Sequence, residues 1–240
     1  MTFGKFFGHD IDFSKSAQMW TYHHLILFLF AVGAIVLTIN VSKKIKAGSK
    51  EQLIKKIFIG ILVFLELTYH IHNWTYPRFS LPLHVCSFAV IFSIALLLTN
   101  SKRIWEYAFF YGVIGGIMAL TFPNSYGYTF YNFRYYHFIL IHCVIISVPL
   151  YYYIAYGYRV SYKTTLRIFR DSFIFGVIIY FLNGLFGTNY WFIGYIPDNV
   201  AGTFKDFNFY ILFFIFLVFL TMNILYFVSN FKEIKQKWTK

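Results

Sequence analysis

The chain has 240 residues, of which 59% are hydrophobic and only 12% charged, and its mean hydropathy is +0.60. A soluble domain carries about a quarter charged residues, so this composition excludes an ordinary soluble globular protein. The formal net charge of +12 would indicate nucleic-acid binding in a soluble chain. Here the basic residues lie in short stretches between apolar runs, where they set membrane topology, and we predict no nucleic-acid partner.

Seven apolar runs are long enough, at about 20 residues each, to cross the hydrocarbon core of a bilayer. Three prolines, Pro82, Pro123 and Pro197, lie in the loops between these runs or at the start of a helix, as expected for a residue that cannot donate a hydrogen bond inside a helix. No linker or extramembrane domain separates the runs, so we expect an all-α polytopic membrane protein forming a single bundle over residues 1–240. The predicted helices are Thr21–Val41, Leu53–Ile71, Leu81–Leu98, Ile104–Thr121, Phe133–Ile154, Ile168–Phe186 and Phe209–Val228.

Lysine and arginine predict how this bundle is oriented. In the seven-helix arrangement, sixteen of these residues fall on one side of the membrane and five on the other. Cytoplasmic loops carry an excess of Lys and Arg, so we predict the amino terminus outside and the carboxyl terminus in the cytoplasm. Membrane lipids are the expected partners. The five outer residues are Lys5, Lys15, Arg78, Arg134 and Lys205.

The fourth predicted helix contains three glycines, Gly112, Gly115 and Gly116. Small residues four apart allow the backbones of two membrane helices to approach closely. A phosphate-binding loop would need a strand before the glycines and a helix after them, and this context is missing. The glycines therefore predict tight packing of this helix against a neighbour.

All eight histidines, both cysteines and Glu66 lie in the outer half of the predicted arrangement. The other two acidic residues within the predicted spans, Glu106 and Asp171, lie beside Arg103 and Arg170 on the cytoplasmic side. Ionisable groups are costly in a bilayer, so they normally face the bundle interior and mark a functional path. We predict one polar cavity that opens toward the outer leaflet or the external water. The candidate catalytic residues are Cys86, His142, His84 and Glu66, and the candidate substrate-binding residues are His24, His70, Asn183 and Asn189.

Some of these polar residues have a structural interpretation when taken singly. A histidine near a helix end is more often an interfacial residue than a ligand, which explains His9, His23 and His72. The two cysteines, Cys86 and Cys143, form neither a disulfide framework nor a C-x-x-C pair. A lone buried cysteine usually packs as a small hydrophobic residue.

The motif L-P-L-H-V-C-S at Leu81–Ser87 resembles the signature of the bacterial YwaF family of seven-helix membrane proteins. Several other features agree with that family in the same order, and the resemblance covers nearly the whole chain. It implies a multi-pass protein of the bacterial plasma membrane. The matching features are His24 before Leu25, Gly115–Gly116 before Ala119–Pro123, His142 in F-I-L-I-H-C, and N-G-L-F-G-T-N-Y over Asn183–Tyr190.

The YwaF family is in turn similar to a eukaryotic transmembrane acyltransferase family that remodels ether phospholipids through a cysteine and a histidine. It is more remotely similar to the androgen-induced membrane hydrolases, which pair threonine with histidine. The resemblance therefore implies acyl chemistry on lipids. In the eukaryotic motif the cysteine directly precedes the helix-three histidine, whereas Leu83 occupies that place here and Cys86 follows His84 by two residues.

The favoured hypothesis is an enzyme that transfers or hydrolyses acyl groups of lipids, with Cys86 as nucleophile and His142 as base. A thiol needs a nearby base to become a useful thiolate, and Glu66 would orient an imidazole. Asn183 or Asn189 would hold the oxyanion. No cofactor and no resident metal are predicted for this reaction.

Two alternatives from other classes stay open at this point. Glu66, His70, His84 and His142 are suitable zinc ligands for a metal-dependent membrane hydrolase, although no local spacing such as H-E-x-x-H supports it. The same His/Glu cluster would also suit proton coupling in a transporter or a small-solute-binding membrane component.

Overall fold

The computed structural model describes residues 3–12, 21–75, 80–123, 127–197 and 201–238, with side chains in the last helix through Phe231 and at Ile234. These residues form helices and connecting segments without strands, which confirms the all-α prediction. Lys15 and Arg78, which the sequence predicts to lie on the outer side of the membrane, are outside the described residues. The helices are α1 (Phe3–Phe6), α2 (Tyr22–Ala47), α3 (Glu51–Trp74), α4 (Val85–Thr99), α5 (Lys102–Thr121), α6 (Phe133–Ala155), α7 (Tyr162–Phe186) and α8 (Phe207–Trp238), with a 3₁₀ turn at Tyr190–Phe192.

Short polar side chains fix where several of these helices begin. The side chains of Ser101, Asn132 and Ser161 accept hydrogen bonds from backbone N–H groups in the first turns of α5, α6 and α7. Such caps satisfy donors that the helix leaves unpaired. Helix α7 ends at Gly187, whose φ of +62° is the left-handed conformation that glycine adopts without strain.

Each of the seven predicted spans coincides with one of the helices α2 to α8. Within the described ranges, five helices have a length and composition that suit a membrane span: α2, α5, α6, α7 and the Phe207–Phe231 part of α8. Helix α4 is apolar but has only 15 residues, and α3 carries Lys55, Lys56 and Glu66. A multi-pass helical membrane protein is therefore supported, while the count of seven spans and the orientation stay predictions.

The contacts divide the chain into two compact units. Unit 1 comprises Met1–Pro82 and Cys86–Tyr158 and contains α1 to α6, with α4 from Cys86 onward. Unit 2 comprises Leu83–Val85 and Arg159–Lys240 and contains α7, the 3₁₀ turn and α8. The single bundle over residues 1–240 stays a prediction.

Helix α6 is the centre of unit 1, where α2, α3 and α5 all contact it. Two glycines of α5 make the closest approach. A Cβ atom on Gly112 would overlap the carbonyl oxygen of Ile145, and one on Gly116 would lie 2.5 Å from the Ile146 side chain. The predicted tight packing is confirmed at these two positions, and α6 is the neighbour concerned.

A polar network links the amino end of α3 to α6 and to the α4–α5 connection within unit 1. The Lys55 ammonium, only 3% exposed, lies 2.8 Å from Glu51 Oε1 and donates to Asn100 Oδ1 at 2.6 Å. The Tyr151 hydroxyl donates to Glu51 Oε1 at 2.8 Å, and Tyr152 donates to Asn100 Oδ1 at 2.7 Å. A buried lysine is stable here because each charge has a counter-charge and hydrogen-bonding partners.

Candidate functional site

The polar residues in the second half of α3 form a hydrogen-bonded chain in unit 1. Glu66 and His70 are one turn apart, with 3.2 Å between Glu66 Oε1 and His70 Nε2. His70 Nδ1 lies 3.1 Å from the Ser80 hydroxyl oxygen, which accepts a hydrogen bond from Asn73 Nδ2 at 3.0 Å. Arg134 Nη1 donates to Asn73 Oδ1 at 3.2 Å. One continuous network thus connects a carboxylate, an imidazole and a hydroxyl.

Sequence reasoning selected Glu66 and His70 but missed the other members of this network. Asn73 lies three residues after His70 and seven after Glu66, which places all three on one face of α3. That spacing was the available signal for Asn73. Ser80 and Arg134 had no such signal, because they reach the network from a loop and from a different helix.

Glu66 also lies within electrostatic range of the Cys86 thiol and of the His137 and His142 rings. These groups come from α3, α4 and α6. Glu66 is therefore in electrostatic range of both Cys86 and His142 within unit 1. Their assignment as catalytic residues stays a prediction.

Hydrogen bonds to backbone carbonyls fix which nitrogen carries the proton in two of these imidazoles. A carbonyl oxygen only accepts, so the nitrogen facing it is the N–H. His142 Nδ1 faces the carbonyl of Phe138, which leaves Nε2 as its basic nitrogen. His137 Nε2 donates to the carbonyl of Leu65 at 2.7 Å and so links α6 to α3.

His24, predicted to bind substrate, donates through Nε2 to the carbonyl of Leu120 at 2.8 Å. This bond joins α2 to the end of α5. It connects His24 with the Ala119–Pro123 segment, and both are features that resemble the YwaF family. A small cavity lies beside it, lined mostly by apolar side chains. The polar cavity expected from the sequence stays a prediction. The cavity is lined by His24, Leu27, Phe28, Leu120, Pro123, Tyr135, Phe138 and Ile139.

His9 and His72 make structural contacts at the amino terminus of unit 1. Their rings lie 4.0 Å apart, and His72 Nε2 donates to the carbonyl of Gly8. Burial and the nearby Arg134 guanidinium lower the pKa of His9, so its imidazole is neutral at neutral pH. Both contacts agree with the interfacial interpretation of these histidines.

In unit 2 the last two residues of the L-P-L-H motif, Leu83 and His84, contact the segment that follows α7. The His84 ring lies 5.0 Å from the Tyr190 ring at an angle of 73°, and Trp191 Nε1 donates to the carbonyl of Leu83 at 2.7 Å. Trp191 and Phe192 both have φ near +60°, a conformation that is rare for bulky side chains. Backbone strain of this kind often accompanies functional sites. His84 lies against this strained turn, whereas Cys86 and His142 belong to unit 1.

Asn183 and Asn189 use their amides to shape the same turn. Asn183, 2% exposed, accepts from the N–H of Tyr190 at 2.8 Å and donates to its carbonyl at 2.9 Å. Asn189 Oδ1 accepts from the N–H groups of Gly194 and Tyr195. The observed contacts are those of loop-forming residues, and substrate binding by either one stays a prediction.

Replacing Asn183 with alanine is expected to loosen the turn at Tyr190–Phe192, because it leaves buried backbone groups without their partners. Each such loss costs about 1–3 kcal/mol. Hydrogen exchange of the turn, followed by mass spectrometry in detergent, measures the effect as faster exchange. Asn223→Ala is the matched control, since the Asn223 amide bonds to the Phe219 carbonyl of its own helix. Equal rates of hydrogen exchange at the turn in both variants would contradict the role of Asn183 in holding the turn.

Among the described residues, no three His, Cys, Asp or Glu side chains come together in a way that suits a metal ion. The zinc-ligand set considered above therefore receives no geometric support from the described part of the chain.

The fold and the polar cluster define the class of protein: an all-helical, multi-pass membrane protein with ionisable residues gathered inside one unit. Within that class, the chain belongs to the TMEM164 family, whose match covers residues 14–226. No curated protein and no solved structure matches the chain. The family agrees with the resemblance to transmembrane ether-lipid acyltransferases, and the narrower YwaF assignment stays a prediction.

Proposed function

We propose that this protein transfers or hydrolyses acyl groups of membrane lipids, with Cys86 as the nucleophile and His142 as the general base. The observation that carries the proposal is the position of Glu66, whose carboxylate is in electrostatic range of both groups. Membership of the TMEM164 family supports the lipid-related role.

The proposed reaction uses the Cys86 thiol as nucleophile and the His142 imidazole as base. Nε2 of His142 takes the thiol proton, and the Cys86 sulfur attacks the carbonyl carbon of a lipid ester. The carbon–oxygen bond to the lipid breaks, and the leaving oxygen receives the proton from His142. Water or a second lipid hydroxyl then accepts the acyl group from the thioester. The Glu66 carboxylate stabilises the imidazolium that forms between these steps.

Purified protein in mixed phospholipid vesicles provides the test. Cys86→Ser and His142→Ala are each expected to lower the release or transfer of labelled acyl groups by a factor of about 10² or more. Cys143→Ser is the matched control, because Cys143 is a buried free cysteine next to His142 and has no role in the reaction. Circular dichroism and melting temperatures show whether each variant is folded.

Wild-type turnover in folded Cys86→Ser and His142→Ala protein would rule out the Cys86 mechanism. If the wild type turns over no lipid in these vesicles but takes up solute in a pH-dependent manner, the transporter alternative replaces the enzyme. Stoichiometric zinc in protein purified without a histidine tag, and its loss in His84→Ala, would instead support the metal-dependent hydrolase.

A further inference from the structure

The connection between α3 and α4 places a serine against the imidazole of His70. The Ser80 hydroxyl oxygen is 3.1 Å from His70 Nδ1, and the opposite ring nitrogen, Nε2, is 3.2 Å from Glu66 Oε1. His70 is 5% exposed and Ser80 is half-buried. The hydroxyl, the imidazole and the carboxylate thus form a chain in which each group lies within hydrogen-bonding distance of the next.

The direction of each hydrogen bond follows from what the atoms can donate. An ionised carboxylate only accepts, so the ring proton of neutral His70 lies on Nε2, toward Glu66. Nδ1 then has a lone pair, which accepts the Ser80 hydroxyl proton. A lone pair of the Ser80 oxygen accepts from Asn73 Nδ2. Each side chain therefore donates a hydrogen bond to the next, in the order Asn73, Ser80, His70 and Glu66.

Two further contacts hold this arrangement in place. Trp74 Nε1 donates to the backbone carbonyl of Ser80 at 2.9 Å, which fixes the serine above the last turn of α3. Arg134 Nη1 donates to Asn73 Oδ1 at 3.2 Å and so turns the Asn73 NH₂ group toward Ser80. These contacts would be enough to anchor the loop. Anchoring the loop does not require the Glu66 carboxylate beside His70. Placing a carboxylate there costs desolvation free energy, so anchoring alone does not explain it.

From this geometry we infer that Ser80, His70 and Glu66 form a serine–histidine–carboxylate centre that accepts acyl groups from carboxylic esters of lipids. The arrangement meets the requirements of an activated nucleophile: a hydroxyl bonded to a base, and a base oriented by a carboxylate. It is separate from the proposed Cys86 nucleophile, although both centres use Glu66 as the carboxylate.

The acyl-transfer step balances with the groups present. The Ser80 hydroxyl proton moves to His70 Nδ1 as the serine oxygen bonds to the ester carbonyl carbon, and the carbonyl electron pair moves onto its oxygen. When that pair returns, the bond to the lipid oxygen breaks and the leaving alkoxide takes the proton from His70. Acyl-serine and a lipid alcohol result. Water then hydrolyses the acyl-serine to a fatty acid and regenerates Ser80.

The surface beside this centre indicates a lipid as the source of the ester. Leu67, Ile71 and Trp74 lie on the neighbouring face of α3, and each is 54% exposed. An acyl chain can lie along this apolar face while its ester carbonyl meets the polar stripe of Glu66, His70 and Asn73. Tryptophan at a helix end is typical of the membrane interface, the depth at which phospholipid esters lie.

The test uses an alkyl fluorophosphonate, which reacts with base-activated serines, on the full-length protein in detergent and in phospholipid vesicles. Tryptic mass spectrometry of the wild type is expected to locate the adduct on Ser80. Ser80→Ala is expected to abolish labelling, and His70→Gln and Glu66→Gln to slow it by at least ten-fold. Ser93→Ala, at a buried serine of α4, is expected to label as the wild type does.

The outcomes separate this centre from the Cys86 mechanism. Absence of an adduct on wild-type Ser80, or unchanged labelling in folded His70→Gln protein, overturns the serine centre, whatever lipid turnover shows. Labelling of Ser80 with wild-type lipid turnover in Cys86→Ser protein supports the serine centre and rejects the cysteine nucleophile. Because the adduct site is read in the wild type, misfolding of a variant does not obscure the result.

Discussion

Replacing Lys55 with methionine is expected to lower the free energy of unfolding by about 3–5 kcal/mol, the usual cost of removing one partner of a buried ion pair. Lys55 is 3% exposed and contacts Glu51, Asn100 and the Tyr156 hydroxyl. Methionine keeps the length and apolar stem of the side chain but leaves the Glu51 carboxylate without this buried cation. Unfolding in detergent with increasing denaturant measures the change.

Lys56→Met is the control for this prediction, because Lys56 is the next residue of α3 and is exposed. Its substitution is expected to change stability by less than about 0.5 kcal/mol, as for most surface positions. The double variant Glu51→Gln/Lys55→Met is expected to recover part of the loss, since it removes both buried charges. Equal midpoints for the two lysine variants would show that Lys55 is solvated and unpaired.

Replacing Gly112 with alanine is expected to destabilise unit 1 by about 1–3 kcal/mol, the typical cost of overpacking. The added Cβ would overlap the carbonyl oxygen of Ile145, a backbone atom that cannot move without displacing α6. Helix α6 carries His137 and His142, so any displacement also reaches the polar cluster. Denaturant midpoints measure the stability, and labelled-lipid turnover measures the effect on activity.

Gly60→Ala supplies the matched control, since a Cβ on Gly60 of α3 meets nothing within 4 Å. Alanine at an unobstructed helical position is expected to be neutral or to stabilise by about 0.5–1 kcal/mol. Gly116→Ala is expected to fall between the two, because its nearest obstacle is the side chain of Ile146. If Gly112→Ala behaves like Gly60→Ala, the close contact between α5 and α6 is refuted.

Much of the helical architecture could be predicted from the sequence because its signals are local. Each predicted span coincides with an observed helix, as for Phe133–Ile154, which corresponds to α6 at Phe133–Ala155. The ends were harder to place: α7 begins at Tyr162 rather than Ile168, because Ser161 caps a polar first turn that lacks the apolar signal. The four-residue spacing of Glu66 and His70 places both on one face of α3, where the structure shows them in contact.

The sequence by itself determined the class of protein and the helices, since apolar length, caps and helical periodicity act over neighbouring residues. Only the tertiary structure decided which distant partners meet. Lys55 and Lys56 look alike in the sequence, yet one is buried against Asn100 and Tyr156 and the other is exposed. Ser80 likewise has no special signal until chain folding sets its hydroxyl beside His70. Hydrogen-bond partners depend on packing between helices, and no local pattern encodes it.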